Sequence, residues 1–257
     1  MAPSAGAVVT PDRFDAVLCD LDGVLTDTAS LHAAAWRATF DPYLAGCTPP
    51  QRPFSDDDYL AFVDGKPREA GVRSLLRSRG LPAPGSLVAE LAGAKQARFD
   101  SALTAGGVDV FDDGVGFVRA CRAAGLGVAV VSSSRNASAV LGAAGLAGLV
   151  DVVVDGNDVA GGLAGKPAPD TFLAACHRLG VAAGRTVVVE DAESGVAAGR
   201  VGRFGLVVGV DRVGGGHGAA LAAAGADVVV ADLGVLRVGA DVGDGAGVDV
   251  GDGGAPG

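Results

Sequence analysis

The sequence predicts an α/β fold, a parallel sheet covered by helices, with a helical domain inserted after the first strand. Three observations predict it. First, short Val-rich runs recur and end in polar or acidic residues: "AVLCDLDG" (16–23), "GVAVVSSS" (127–134), "DVVVDG" (151–156), "RTVVVEDAESG" (185–195), "GLVVGVD" (205–211) and "ADVVVADL" (226–233). Unbroken apolar runs of this length suit strands buried on both faces, as parallel strands are. Second, Ala- and Leu-rich stretches with helical spacing lie between them, as in "VGFVRACRAAG" (115–125), "ASAVLGAAG" (137–145) and "DTFLAACHRLG" (170–180). Strand alternating with helix is the pattern of an open parallel sheet. Third, the 80 residues from 28 to 107 contain no strand-like run.

The core domain is therefore expected over 12–27 and 108–237, with residues 28–107 as the helical insertion. Within the insertion, "TASLHAAAWRATFDPYL", "DDDYLAFVDGKPREAGVRSLLRSRG" and "SLVAELAGAKQARFDSAL" read as helices. Asp27 is expected to cap the first of them, since Asp favours that position. The last stretch, 238–257, is Gly- and Asp-rich and without aromatics, the composition of a disordered tail. "GGGHG" (214–218) matches no glycine fingerprint and reads as a flexible loop, and His177 and His217 as structural or solvated side chains.

Composition excludes several classes. Net charge is −10 with no block of Lys and Arg, against nucleic acid binding. No apolar run reaches the roughly 20 residues of a membrane span, and the first residues show no secretory pattern. Cys19, Cys47, Cys121 and Cys176 are scattered, as free thiols of a reducing cytoplasm would be. A cytoplasmic enzyme acting as a monomer is the expectation.

In parallel sheets the ligand sits past the carboxyl ends of the strands. Asp20, Asp22, Ser132 to Ser134, Asp155, Glu190 and Asp191 should therefore converge on one crevice. Several carboxylates around one crevice repel one another unless a cation binds, and hard oxygen ligands suit magnesium. Asp20, Asp191 and Glu190 are the candidate ligands. A cation beside an exposed carboxylate makes phosphoryl transfer plausible, with the carboxylate as acceptor and a lysine offsetting charge on the phosphate oxygens. Lys166, in "GKPAPD", is placed for that task, although taken alone it reads more readily as an exposed loop lysine.

Taken together and in this order, "DLDGVLTDT", "VVSSSRN", "GKPAPD" and "VEDAESGVAAG" resemble the haloacid dehalogenase superfamily. "DTASLHAAAW", "VDGKPREAGV" and "SSSRN" resemble more narrowly its β-phosphoglucomutase branch. The resemblance implies a Rossmann-like core with a helical cap. It assigns Asp20 as the nucleophile and Asp22 as general acid and base, with a backbone carbonyl on magnesium. Glu190 and Asp191 complete the metal site, and Ser132 and Lys166 hold the transferring phosphate. In the cap, Thr28 lies at the hinge, His32 is linked to closure, Arg68 grips the distal phosphate and Lys95 sits near the sugar. Gly65 and Lys66 belong to the "GKPRE" stretch around Arg68. Ser133, Ser134, Arg135 and Asn136 line the substrate on the core side. Trp36, four residues after His32, reads as substrate lid or cap core alike.

The implied activity is a magnesium-dependent phosphosugar mutase, taking β-glucose 1-phosphate to glucose 6-phosphate through an aspartyl-phosphate and glucose 1,6-bisphosphate. A phosphatase of the same fold is the alternative, and a non-catalytic sugar-phosphate sensor a third reading. The pattern departs from the branch in the cap, where the basic pair reads Ala94-Lys95, the sugar-binding Asn is Gln96 and a serine position is Gly71. These departures bear on which sugar is taken rather than on phosphoryl transfer.

Overall fold

The computed structural model describes residues 8–64 and 66–239. Six strands form one sheet: β2 (Ala16–Cys19), β3 (Gly127–Val131), β4 (Val152–Val154), β5 (Thr186–Glu190), β6 (Leu206–Val210) and β7 (Val228–Val230). Their order is β4-β3-β2-β5-β6-β7 and every pairing is parallel. This is the α/β architecture expected. A further parallel pair, β1 (Val8–Val9) with β8 (Arg237–Val238), sits apart from the sheet. It corrects the reading of residue 238 as the start of the tail, because Val238 pairs with Val9. Residues 240–257 of that reading lie outside the described residues.

The unbroken apolar runs follow from burial on two sides. Val17, Val128, Val130, Val187 and Val189 pack on one face with Val115, Val118 and Cys121 of α5 (Asp112–Ala123) and Val140 and Leu141 of α6 (Ala137–Ala143). Their neighbours Leu18, Ala129, Val131 and Val188 face the other way. There they meet Phe172 and Ala175 of α8 (Asp170–Leu179), Val196 of α9 (Glu193–Val201) and Leu221 of α10 (His217–Ala224). A polar residue at any of these alternate positions would face an apolar layer. The short α7 (Gly156–Ala160) is capped by Asp155, whose carboxylate accepts the Asn157 N–H. Asp155 thus spends its carboxylate on its own loop.

Residues 29–106 hold α1 (Ala29–Ala45), α2 (Asp56–Asp58), a π-helical turn (Tyr59–Val63), α3 (Arg68–Ser78) and α4 (Gly85–Gly106). Trp36, Phe40, Leu44, Phe54, Val63, Leu75, Leu76 and Val88 form a separate apolar cluster there. The "DDDYLAFVDGKPREAG" stretch is not one helix. A residue before proline avoids the helical region, so the chain breaks ahead of Pro67 and restarts at Arg68. Near its end α4 reaches the sheet layer, where Phe99 joins the core cluster.

No helix among the described residues is long and apolar enough to cross a membrane, and all four cysteines are unpaired.

Candidate active site

The Asp20 N–H donates to Val189 O at 2.9 Å, fixing Asp20 at the carboxyl end of β2 beside β5. Its carboxylate meets Lys166 Nζ at 2.5 Å. The ammonium also donates to Val131 O at 2.9 Å and pairs with Glu190. Lys166 thus links the ends of β2, β3 and β5 in one buried contact. Burial lowers an ammonium's pKa, but Asp20 and Glu190 outweigh it and hold Lys166 above its ordinary value.

For the carboxylates, burial wins. Loss of hydration pushes Asp20 up to about 8, with Lys166 opposing and Glu190 and Asp22 adding to the rise. Asp191 is raised for the same reason, then by Asp20 and Glu190. Its carboxylate accepts no hydrogen bond among the described residues. Glu190 is fully buried and committed: one oxygen faces Lys166 and the other accepts the Ala192 N–H at 3.1 Å.

Asp22 has the opposite environment. Burial works against its ionisation, but the His32 ring, the Thr28 hydroxyl and the Lys95 ammonium draw its carboxyl below the ordinary value. Thr28 Oγ donates to Asp22, and His32 Nε2 stands 3.8 Å from the other oxygen. Two acids separated by one residue thus have their carboxyl pKa values moved in opposite directions. The turn between them and the cap depends on Gly23, whose φ is +86°. A β-carbon there would lie 1.8 Å from Asp191 Oδ2, so the two acidic loops meet at this glycine.

Thr28, rather than Asp27, sits at the start of α1, and its hydroxyl goes to Asp22 instead of capping the helix. His32 Nδ1 contacts Lys95 Nζ at 2.6 Å, and the His32 ring stacks on Phe99 at 4.2 Å. Lys95 is buried, 4.6 Å from the Phe99 ring and 5.4 Å from that of Trp36. Burial, then the Arg68 charge, lowers its pKa to about 8. Arg68 is itself lowered, by burial and then by Arg135 across the cleft. Neither guanidinium has an ion pair among the described residues. Lys95, Arg68 and Arg135 therefore gather positive charge at one place, with Asp22, Asp100 and Glu69 offsetting part of it.

On the core side, the buried Ser132 Oγ accepts the Ser134 N–H at 3.0 Å, and Ser134 Oγ accepts the Asn136 N–H at 3.2 Å. Ser133 lies within this same turn. Asn136 Oδ1 accepts from Gln96 Nε2 at 2.8 Å, a bond that joins cap to core. Trp36 is 4% exposed and stacked on Phe40, so it belongs to the cap interior with one face toward Lys95. Lys66 points elsewhere: its ammonium donates to the carbonyls of Ala61 and Phe62 at 3.1 Å each. Gly65 lies outside the described residues.

Two residues that the sequence did not place at the site, Arg212 and the His217 read as structural or solvated, also meet it. Arg212 Nε donates to Gly23 O at 3.2 Å, and His217 Nε2 lies 2.8 Å from Asp191 O. Arg212 lies two residues past the end of β6, so the rule about strand ends could have found it. His217 carried no comparable signal.

A family model described as haloacid dehalogenase-like hydrolase matches residues 14–202. A protein of Mycobacterium bovis named beta-phosphoglucomutase is 47% identical over 242 residues, 88% of this chain and 92% of its own. The fructose-1-phosphate phosphatase of Escherichia coli is 30% identical over 191 residues, 74% of this chain and 93% of its own. In fold, a crystal structure of beta-phosphoglucomutase from Clostridium difficile superposes with a TM-score of 0.72 at 23% identity, covering 87% of this chain and 93% of the other. The chain belongs to the haloacid dehalogenase-like hydrolases, among the relatives of the β-phosphoglucomutases.

Proposed function

We propose that the protein is a magnesium-dependent phosphosugar mutase that converts β-glucose 1-phosphate to glucose 6-phosphate. The observation that carries the reading is the second cationic cluster. Lys166 stands beside Asp20 at the reacting end, while Arg68 and Arg135, neither in an ion pair among the described residues, lie close enough to oppose each other's charge, and Arg68 opposes that of Lys95 although Asp22 and Asp100 are also near. A phosphatase needs to hold one phosphate, whereas a mutase must hold one at each end of the sugar.

The residues fit a magnesium ion. Asp20 and Asp191 are oxygen donors held up by burial and mutual repulsion, a state that a cation relieves. Among the described residues no three acidic, His or Cys side chains form a ready cage, which suits an ion that keeps water and binds phosphate. Asp20, Asp191 and the Asp22 backbone carbonyl would hold it, and Glu190 would act through Lys166. Bound there, the ion would neutralise charge as phosphate nears the carboxylate.

Asp20 attacks phosphorus and the bond to the sugar oxygen breaks, leaving phospho-Asp20. Asp22, held as the carboxylate, takes the proton from the accepting hydroxyl and, once protonated, returns it to the departing oxygen in the opposite half-reaction. Lys166 offsets charge on the phosphate oxygens, and Ser132 offers its hydroxyl to the same group. Glucose 1,6-bisphosphate, formed on phospho-Asp20, turns over so that its other phosphate returns to the same carboxylate. The cap excludes water so that the sugar is the acceptor. Such an enzyme would work as a cytoplasmic monomer.

The test is to supply β-glucose 1-phosphate with a trace of the bisphosphate and follow both products. Glucose 6-phosphate should form well ahead of free phosphate. Phosphate release at an equal or greater rate would favour the second reading, a sugar-phosphate phosphatase, which the likeness to the E. coli fructose-1-phosphate phosphatase supports. Arg68→Ala should reduce mutase turnover far more than hydrolysis of a small phosphate ester.

A further inference from the structure

The loop after β6 reaches both acidic loops from behind. Asp211 organises it: Oδ1 accepts the N–H groups of Gly214 at 2.7 Å and Val213 at 3.2 Å, and Oδ2 accepts that of Gly218 at 3.0 Å. Gly214, Gly215 and Gly216 all have positive φ, a path that residues with side chains follow only under strain. "GGGHG" is therefore a shaped turn, and it delivers His217 to a defined place.

From one end of this loop Arg212 turns toward the β2 loop. Its guanidinium donates to Gly23 O at 3.2 Å and Val24 O at 3.4 Å, and forms a two-point pair with Asp113 at 2.7 and 2.9 Å. Asp113 is anchored in turn by the Leu233 N–H at 2.7 Å, and the guanidinium lies 4.2 Å over the Phe111 ring. From the other end His217 Nε2 donates to Asp191 O at 2.8 Å, on the β5 loop. The two loops so held are the ones that meet where the Gly23 backbone presses on the Asp191 carboxylate.

We infer that Arg212 and His217 are positioning residues, which set the spacing between the loop carrying Asp20 and Asp22 and the loop carrying Asp191. Neither touches the reacting atoms. Arg212 fixes the carbonyls just past Asp22, and His217 fixes the carbonyl of the residue whose carboxylate faces the proposed cation. The inference deepens the proposed function and rests on it only for the metal. The bracing itself is a property of the backbone.

The experiment therefore reads the backbone before the chemistry. Amide hydrogen exchange is measured on the metal-free protein and on the variants His217→Ala, His217→Gln, Arg212→Ala and Arg212→Lys. His217→Ala should speed exchange at residues 190–193 by about five- to tenfold, the loss of roughly one hydrogen bond, and leave β3 and β4 unchanged. Arg212→Ala should do the same at residues 22–26. The Gln variant, whose amide can donate from the same reach, should restore protection at 190–193. Arg212→Lys, which cannot span Asp113 and both carbonyls, should restore little at 22–26.

Magnesium binding is then titrated calorimetrically. His217→Ala should raise the dissociation constant by about fivefold, with Gln again restoring it. Faster exchange spread evenly over the sheet, or no local change in either loop, would overturn the bracing. Local loosening in the two loops with unchanged magnesium affinity would overturn their role at the metal while leaving the mutase reading to its own product assay. If an Ala variant does not fold, the Gln and Lys variants carry the same comparison.

Discussion

Asp20 and Asp22 are one residue apart and chemically opposed. Asp20 shares Lys166 with Glu190 in a buried site that disfavours its charge, while Asp22 faces His32, Thr28 and Lys95, which favour it. Replacing Asp22 by Asn should leave the fold intact yet reduce mutase turnover by about 10²- to 10⁴-fold, the usual weight of general acid–base catalysis. Loss of the fold in that variant, seen by circular dichroism, would speak against the assignment. Gly23→Ala should cost more than its single methyl suggests, because the new carbon would collide with Asp191 Oδ2 at a left-handed backbone position. A displacement of that size should lower turnover by about a hundredfold, read as kcat in a purified, folded variant. The acids were legible in the sequence because they stand at strand ends, and Lys166, in the loop between α7 and α8, because "GKPAPD" falls between them in a fixed order. His217 was not, since the group it holds lies 26 residues away and nothing local marks it. Asp27 misled for a related reason: helix-start preferences are local, whereas the Thr28 hydroxyl is drawn to an acid six residues back.

At the level of single elements, the cap shows how a charge can be built into an apolar cluster. Asp58 is fully buried; it closes a capping box with Ser55 and pairs with Arg79 at 2.6 Å and Arg52 at 2.8 Å. Burial opposes its charge, but Ser55 and the two arginines prevail and keep its carboxyl below the ordinary value. A carboxyl depressed on folding stabilises above its unfolded pKa, and that contribution fades as pH falls through the lower folded value. The cap should therefore loosen below about pH 4, and Asp58→Asn should flatten the melting temperature's pH dependence in that range. Asp58→Ala should cost about 3 kcal/mol at neutral pH, because Arg79 keeps its bonds to the Arg52 and Pro53 carbonyls but loses the acid that balances its charge, and chemical denaturation would measure it. The helices of this region were readable from their spacing. Their interruption was partly so, since Pro67 is visible in the sequence, but the π-helical turn at Tyr59–Val63 depends on packing that no local pattern announces.

On the scale of the whole molecule, the parallel sheet was the most legible feature. Burial on both faces leaves each strand an unbroken apolar run, and six such runs matched six strands. The β1–β8 pair escaped notice because two residues per strand are too few to show any period. The strand order has one more consequence, for the path by which the chain becomes ordered. β2 lies between β3 and β5, and its partner residues across the sheet are about 110 and 170 positions further along the chain. Contacts of that separation form slowly, since a long loop must close before any pairing is rewarded. The cap cluster, by contrast, is assembled from residues 36–92 alone. As the chain leaves the ribosome, the helices around Trp36 and Leu75 can settle while the strand that ends at Asp20 still waits for both neighbours. Asp20 is made before either neighbour of its strand and is among the last residues to find its place. Pulse-labelled exchange during refolding should accordingly protect amides of α1 and α3 before those of β2, and the acidic loops should close only when β5 arrives.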